Sequence, residues 1–286
     1  MNGRAWSRFA AFAWMACAIP ASLAAQSGVC HPGTGSNEAK TLAILSVPVV
    51  FSPGAPPGEP SGITLGLEAA RVPGVDAATA TPTICRPGKG AENTGVLPAL
   101  ARPRLAVPLR HGLALEASWI PPIRVNGVKA NLIGLALTQS VGHRDGLNAA
   151  VRAHATFGSV NAPVTCDHDA LADPVSECFD GTLSDDRFSP NIMGLDLSVG
   201  WAMAGGRLRP YLGSGYNRLE PRFQVNFTNQ FGTVDRTRVA VNLDRVALFG
   251  GAAWQVTNRF AITGEVYAAV ADAATGRVVI RRTFGS

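Results

Sequence analysis

In most runs between Arg207 and Val270 every second residue is apolar. They are Arg207-Leu208-Arg209-Pro210-Tyr211-Leu212, Phe223-Gln224-Val225-Asn226-Phe227, Arg238-Val239-Ala240-Val241-Asn242-Leu243 and Phe260-Ala261-Ile262-Thr263-Gly264-Glu265-Val266-Tyr267. Successive side chains of a strand point to opposite faces, so this period predicts strands with one apolar and one polar side. The segments from Arg207 to Trp254 are also long. They read as one hairpin of roughly 20 residues per arm, against a usual strand of about 5–6.

Applied to the whole chain, the same period predicts ten strands, near 61–71, 102–110, 112–120, 131–141, 146–158, 191–203, 206–229, 235–254, 258–270 and 276–284. Connections 72–101 and 159–190 are long, those at His111, Gly142 to Gly146, Ala204-Gly205 and Gln255 to Asn258 are short, and those near Gly232 and Ala274 also read as short. One face collects Leu105, Leu115, Trp119, Ile133, Leu135, Leu137, Val151, Phe157, Met193, Leu195, Leu197, Trp201, Ile262 and Val266. The other collects Glu68, Arg104, Glu116, Arg152, His154, Asp196, Arg209, Glu265, Tyr267 and Arg281. A soluble sandwich would bury the first set and wet the second. The ionisable residues recur only about once per strand, and the apolar face is rich in Ala and Gly. Both features suit a wall whose apolar side meets lipid and whose polar side is enclosed.

The N-terminus supports export. Arg4 and Arg8 precede the apolar run Phe9 to Ile19, and Ser22-Leu23-Ala24 or Leu23-Ala24-Ala25 offers small residues for cleavage near Gln26. Residues 1–25 are expected to be a signal peptide, residues 26–60 a Pro/Gly-rich extension that plugs or caps, and residues 61–286 a single barrel. Without Arg4 and Arg8 the formal charge of +5 falls to about +3, too mild to suggest nucleic acid. No other stretch is long and apolar enough for a membrane helix, so a membrane form must be a closed barrel. Ser36 or Asn37 is placed to cap a short helix that Pro48 would end, and a strand from Ile44 to Phe51 is the competing reading.

Beyond the leader the cysteines are Cys30, Cys85, Cys166 and Cys178. An even number in an exported chain suggests disulfides, with Cys166–Cys178 across one loop and Cys30–Cys85 by elimination. With an even strand count both barrel ends lie on one side, so Cys30 and Cys85 start on opposite sides of the membrane. They meet only if residues 26–60 thread the lumen, or if the strand count is off by one.

Gly250-Gly251-Ala252-Ala253-Trp254, followed by Thr257 to Tyr267, resembles the penultimate hairpin of bacterial outer-membrane β-barrel proteins, among the small porin-like barrels. The resemblance covers the leader and nearly all of 61–284. It implies an all-β, antiparallel up-and-down transmembrane β-barrel of about ten strands (8–12), with outer-membrane lipid and the barrel assembly machinery as partners. That family usually ends on an aromatic residue. Here Phe284 is followed by Gly285-Ser286, and Arg282 falls on the apolar face, which requires it to sit near the membrane edge.

The candidate luminal network sets Glu68, Glu116, Asp196 and Glu265 against Arg104, Arg152, Arg209 and Arg281, with His154 among them. Buried ion pairs of this kind are more often structural than functional. Asp167, His168 and Asp169 form a weak metal candidate without a known calcium-loop spacing. His168 beside its acids also resembles the Asp–His pair of ten-stranded outer-membrane proteases, but no second acidic pair on another outer loop answers it. No phosphate loop, dinucleotide fingerprint or zinc spacing is present, and no cofactor is expected. The reading is a non-enzymatic barrel with a structural or small-solute-passing role, whose outer loops meet solvent, a solute or a surface partner. An outer-membrane hydrolase and a secreted ligand-binding β-sandwich are the alternatives.

Overall fold

The computed structural model describes residues 28–285, apart from 59–60 and 145. The leader expected over residues 1–25 lies outside the described residues. Ten antiparallel strands build the wall: β1 (Ile63–Arg71), β2 (Ala99–Pro108), β3 (Leu113–Ile120), β4 (Val128–Arg144), β5 (Leu147–Ala162), β6 (Ile192–Trp201), β7 (Leu208–Leu219), β8 (Leu243–Thr257), β9 (Phe260–Ala269) and β10 (Ala273–Phe284). Each pairs with its sequence neighbours. β10 returns to β1 from Phe284 opposite Ile63 to Arg277 opposite Ala70, so the barrel is closed and has no free edge.

The alternation resolves into outside and inside. Leu105, Leu115, Ile133, Leu135, Leu137, Val151, Met193, Leu195, Leu197 and Val266 are exposed on the exterior, while Glu68, Arg104, Arg152, His154, Asp196 and Glu265 are buried within. A sandwich with leucines inside and arginines in water is thereby excluded. Aromatic side chains project outward near both rims: Trp201, Trp254 and Phe284 at one, Trp119, Phe157 and Tyr216 at the other. From Leu147 to Phe157 along β5 is roughly ten residues of about 3.3 Å, or about 25 Å of height at a tilt near 40°. That equals the apolar band of an outer-membrane barrel. Arg282 stacks on Phe284 near the end of β10, where a lipid-facing charge costs little. No helix among the described residues is long and apolar enough to cross a membrane; strands make the crossing. The fold is a closed ten-stranded transmembrane β-barrel of the outer-membrane type.

Connections 109–112, 145–146, 202–207 and 258–259 lie at one end, with the start of β1 and the end of β10. Connections 72–98, 121–127, 163–191, 220–242 and 270–272 lie at the other. In outer-membrane barrels the short turns face the periplasm. The tall hairpin expected over 206–254 is corrected here. β7 and β8 pair only from Leu208–Trp254 to Leu219–Leu243. Pro221 offers no N–H to the ladder, and residues 220–242 form a long loop that folds across the outer mouth.

That loop builds a cap. Arg222–Gln224 pairs with Arg238–Ala240 on one side and with the Asp186–Ser189 strand on the other, which in turn joins the end of β5. Val29–Cys30 adds a parallel strand beside Arg238–Val239. Under this small sheet lies helix α1 (Asn37–Ser46), with Ala39 and Leu42 packed among Phe223, Val225 and Val239. The Ser36 hydroxyl accepts from the Ala39 N–H at 3.1 Å, which caps the helix. The competing strand does not form: the helix runs to Ser46 and a 3-10 turn covers Val47–Val49.

Candidate functional site

Below α1 the chain descends the lumen as an irregular strap, residues 47–58, and rejoins the wall at the start of β1. Such a strap leaves carbonyls without backbone partners, and a buried carbonyl must find a donor. Wall arginines supply them. Arg277 donates to Val47 O and Val50 O, each at 2.8 Å. Arg102 donates to Val50 O at 2.9 Å and Val49 O at 3.2 Å. Arg104 donates to Ser52 O at 3.0 Å and Pro53 O at 2.8 Å, and Arg152 donates to Phe51 O. The Phe51 ring lies under three guanidinium groups, 4.4 Å from Arg104, 4.8 Å from Arg152 and 5.2 Å from Arg102. Gly134 makes room for that ring: a Cβ there would lie 3.0 Å from Phe51.

Carboxylates hold these arginines in turn. Glu68 pairs with Arg102 and Arg104, both at 2.6 Å. Glu116 bridges Arg104 at 2.9 Å and Arg152 at 3.2 Å, and Asp196 pairs with Arg152 at 3.1 Å. His154 faces Asp196 at 3.4 Å. Three expected members take other partners. Glu265 accepts from Ser52, from Gly54 N–H at 2.9 Å and from Tyr211 hydroxyl at 2.7 Å rather than from an arginine. Arg209 donates to Pro57 O at 3.3 Å, and Arg281 to the Thr263 hydroxyl at 3.1 Å; among the described residues neither has a carboxylate partner. The sequence reading missed Arg102 and Arg277. Both share the phase of residues it did name, since Arg102 precedes Arg104 by two positions and Arg277 precedes Arg281 by four.

Beneath the strap a vestibule of approximately 210 Å³ runs from Glu116 and Arg152 to Arg209, Arg281 and the turn residue Asn258. Above it, the cap is tied by two disulfides, Cys30–Cys85 and Cys166–Cys178. The first joins the top of the N-terminal segment to the outer loop 72–98, so that segment threads the lumen from outside to inside. The strand count stands at ten. Glu38 on α1 accepts the backbone N–H groups of Thr83, Ile84 and Cys85 at 2.9, 2.7 and 2.9 Å. Burial works to raise its pKa, but those N–H bonds outweigh it and hold the carboxyl below its ordinary range.

Buried Arg86 gathers three outer loops by pairing with Glu92 at 3.1 Å, with Glu177, and with Asp235 at 3.4 Å. Burial pushes the Glu92 carboxyl up to about 7; Arg86 opposes this and Asp186 adds to it. A cleft of approximately 1650 Å³ opens between these loops, with Lys89, Asp173, Arg236 and Phe231 among its walls. Of the candidate Asp167, His168 and Asp169, Asp167 caps the short helix His168–Ala172 by accepting from Ala170 N–H at 2.8 Å, and also accepts from Asn93 at 2.6 Å. No metal-holding cluster of three His, Cys, Asp or Glu exists among the described residues.

No protein-family model and no curated protein matches the chain. Among solved structures it is similar to the translocator domain of autotransporter NalP from Neisseria meningitidis, at 11% identity and TM-score 0.32, covering 86% of this chain and 95% of that one. It is also similar to the Pseudomonas putida toluene transporter TodX, at 14% identity and TM-score 0.31, covering 85% and 72%. A third likeness is to Ail of Yersinia pestis, at 9% identity and TM-score 0.24, covering 78% and 95%. A closed strand wall with a lipid-facing exterior and two aromatic rims is an architecture of the bacterial outer membrane.

Proposed function

We propose that this protein is a non-conducting, non-enzymatic outer-membrane barrel whose working part is its outer cap. The wall anchors the cap in lipid, and the cap presents a charged cleft to a solute or partner at the cell surface. The observation that carries this reading is the strap. It fills the lumen, four wall arginines hold its carbonyls, and it is covalently fixed at both ends, by Cys30–Cys85 above and by the continuous chain into β1 below. A plug held this way does not swing aside on thermal motion, because each buried carbonyl it exposed would lose a charge-assisted bond. Insertion by the barrel assembly machinery fits the outward Phe284 at the periplasmic rim.

Planar-bilayer recording of the purified full chain tests the reading. Silence under applied voltage supports it. A steady ohmic conductance would restore the small-solute-passing role and remove this one.

A further inference from the structure

Among the described residues the lumen contains six arginines, Arg102, Arg104, Arg152, Arg209, Arg277 and Arg281, against the four carboxylates Glu68, Glu116, Asp196 and Glu265. The imbalance is not spread evenly. Glu68, Glu116 and Asp196 are all engaged by Arg102, Arg104 and Arg152, with Arg277 3.9 Å from Glu68. Glu265 is taken by the strap and Tyr211. The two arginines left over, Arg209 and Arg281, line the same vestibule. Arg281 Nε is buried without a hydrogen-bond partner, and so is Arg152 Nη2 on another wall of that cavity.

Arg209 and Arg281 are half-buried, and a planar fork with free N–H groups is shaped for two oxygens of one anion. We propose that the periplasmic vestibule is a binding site for a small oxyanion, a phosphate or carboxylate, held chiefly by Arg209 and Arg281. The size fits a small anion: approximately 210 Å³ is below the roughly 300–1000 Å³ of drug-sized pockets. The strap closes the vestibule from above, so the anion enters and leaves on the periplasmic side and is not carried across. Arg209 already donates to Pro57 O, so an anion beside it also braces the lower strap. Glu59 follows the strap in sequence and lies outside the described residues, so the test includes Glu59→Gln.

The test is calorimetric titration of the full chain in detergent micelles with inorganic phosphate and, separately, with succinate, against chloride at matched ionic strength. Saturable one-to-one binding of phosphate or succinate to the parent, weakened about tenfold or more in Arg209→Gln and in Arg281→Gln, is expected, since each removes a charge-assisted bond. Which anion binds more tightly tells phosphate chemistry from carboxylate chemistry. Arg209→Gln touches only one strap carbonyl and keeps the test open if Arg281→Gln does not fold. Absence of binding to the parent overturns the proposal, as does equal binding by parent and Arg209→Gln. Binding that appears only in Glu59→Gln also overturns it, because the site would then be filled by the chain's own carboxylate.

Discussion

The guanidinium of Arg277 on wall strand β10 lies 2.8 Å from the carbonyl oxygen of Val47, at the point where α1 gives way to the strap. The same side chain holds Val50 O and the Ser52 hydroxyl, and stacks 4.8 Å from the Tyr267 ring. Replacing it by Met, Arg277→Met, leaves Val47 O without its donor, leaves Val50 O to Arg102 and removes a positive charge 3.9 Å from Glu68. Truncating one partner of such a buried charged set costs about 3–5 kcal/mol. The expected outcome is a lowered thermal midpoint in micelles, with brief conductance steps in planar bilayers as the upper strap loosens. An unchanged midpoint together with a silent bilayer would show that Arg277 does not hold the plug.

Breaking the covalent tie has a different signature. Cys30 and Cys85 close a loop with a sequence separation of 55. Chain entropy puts the contribution of such a loop at about 4 kcal/mol. In Cys30→Ser/Cys85→Ser the four arginines still grip residues 47–53, so the barrel is expected to stay non-conducting. The segment above Asn37 loses its anchor, and added protease should cut there in intact cells while sparing the parent. Conductance in this variant would mean that the disulfide, rather than the arginines, keeps the lumen shut.

Much of this was legible in the sequence. Period-2 alternation fixed which residues face lipid, because one register places Leu195 and Leu197 outside and Asp196 inside. Cys30 and Cys85, which the strand count starts on opposite sides of the membrane, posed the threading question that the strap answers. Three things were hidden. Residues 220–242 keep strand-like alternation although Pro221 turns them off the barrel, since alternation also describes a small cap sheet. The partners of Glu265 are a strap amide, a strap hydroxyl and Tyr211, and no pattern of charges reveals a bond to a backbone group 211 positions away. Arg86 looks like any loop arginine; only the fold brings Glu92, Glu177 and Asp235 to it.

The cap should respond to pH through Glu92. Its carboxyl is raised by burial to about 7 in the folded protein, above the ordinary value near 4.5. The folded state therefore binds the proton more tightly than the unfolded chain, and cap stability falls as pH rises from about 4.5 to about 7, then levels. Asp186 is raised by burial as well and works in the same direction. Hydrogen exchange of residues 80–92 measured across this window should show less protection at its upper end. Glu92→Gln, which mimics the protonated group, should flatten the dependence and leave only the contribution of Asp186. A dependence of the opposite sign would mean that the Arg86 pairing dominates burial.

The exterior gives the most direct check on the membrane reading, because equal exposure predicts unequal cost. Leu195 lies mid-strand on β6 and Val256 near the turn end of β8; both face outward and both are exposed. In water the substitutions Leu195→Arg and Val256→Arg would be similarly mild, as for any exposed site. Against lipid they separate: an arginine costs about 2–4 kcal/mol at the bilayer midplane and about 0–1 near an interface. Equilibrium folding into phospholipid vesicles should therefore show a loss of that size for Leu195→Arg and almost none for Val256→Arg. The difference has to disappear if the leucine belt meets water or another protein surface, since neither medium grades its penalty with depth.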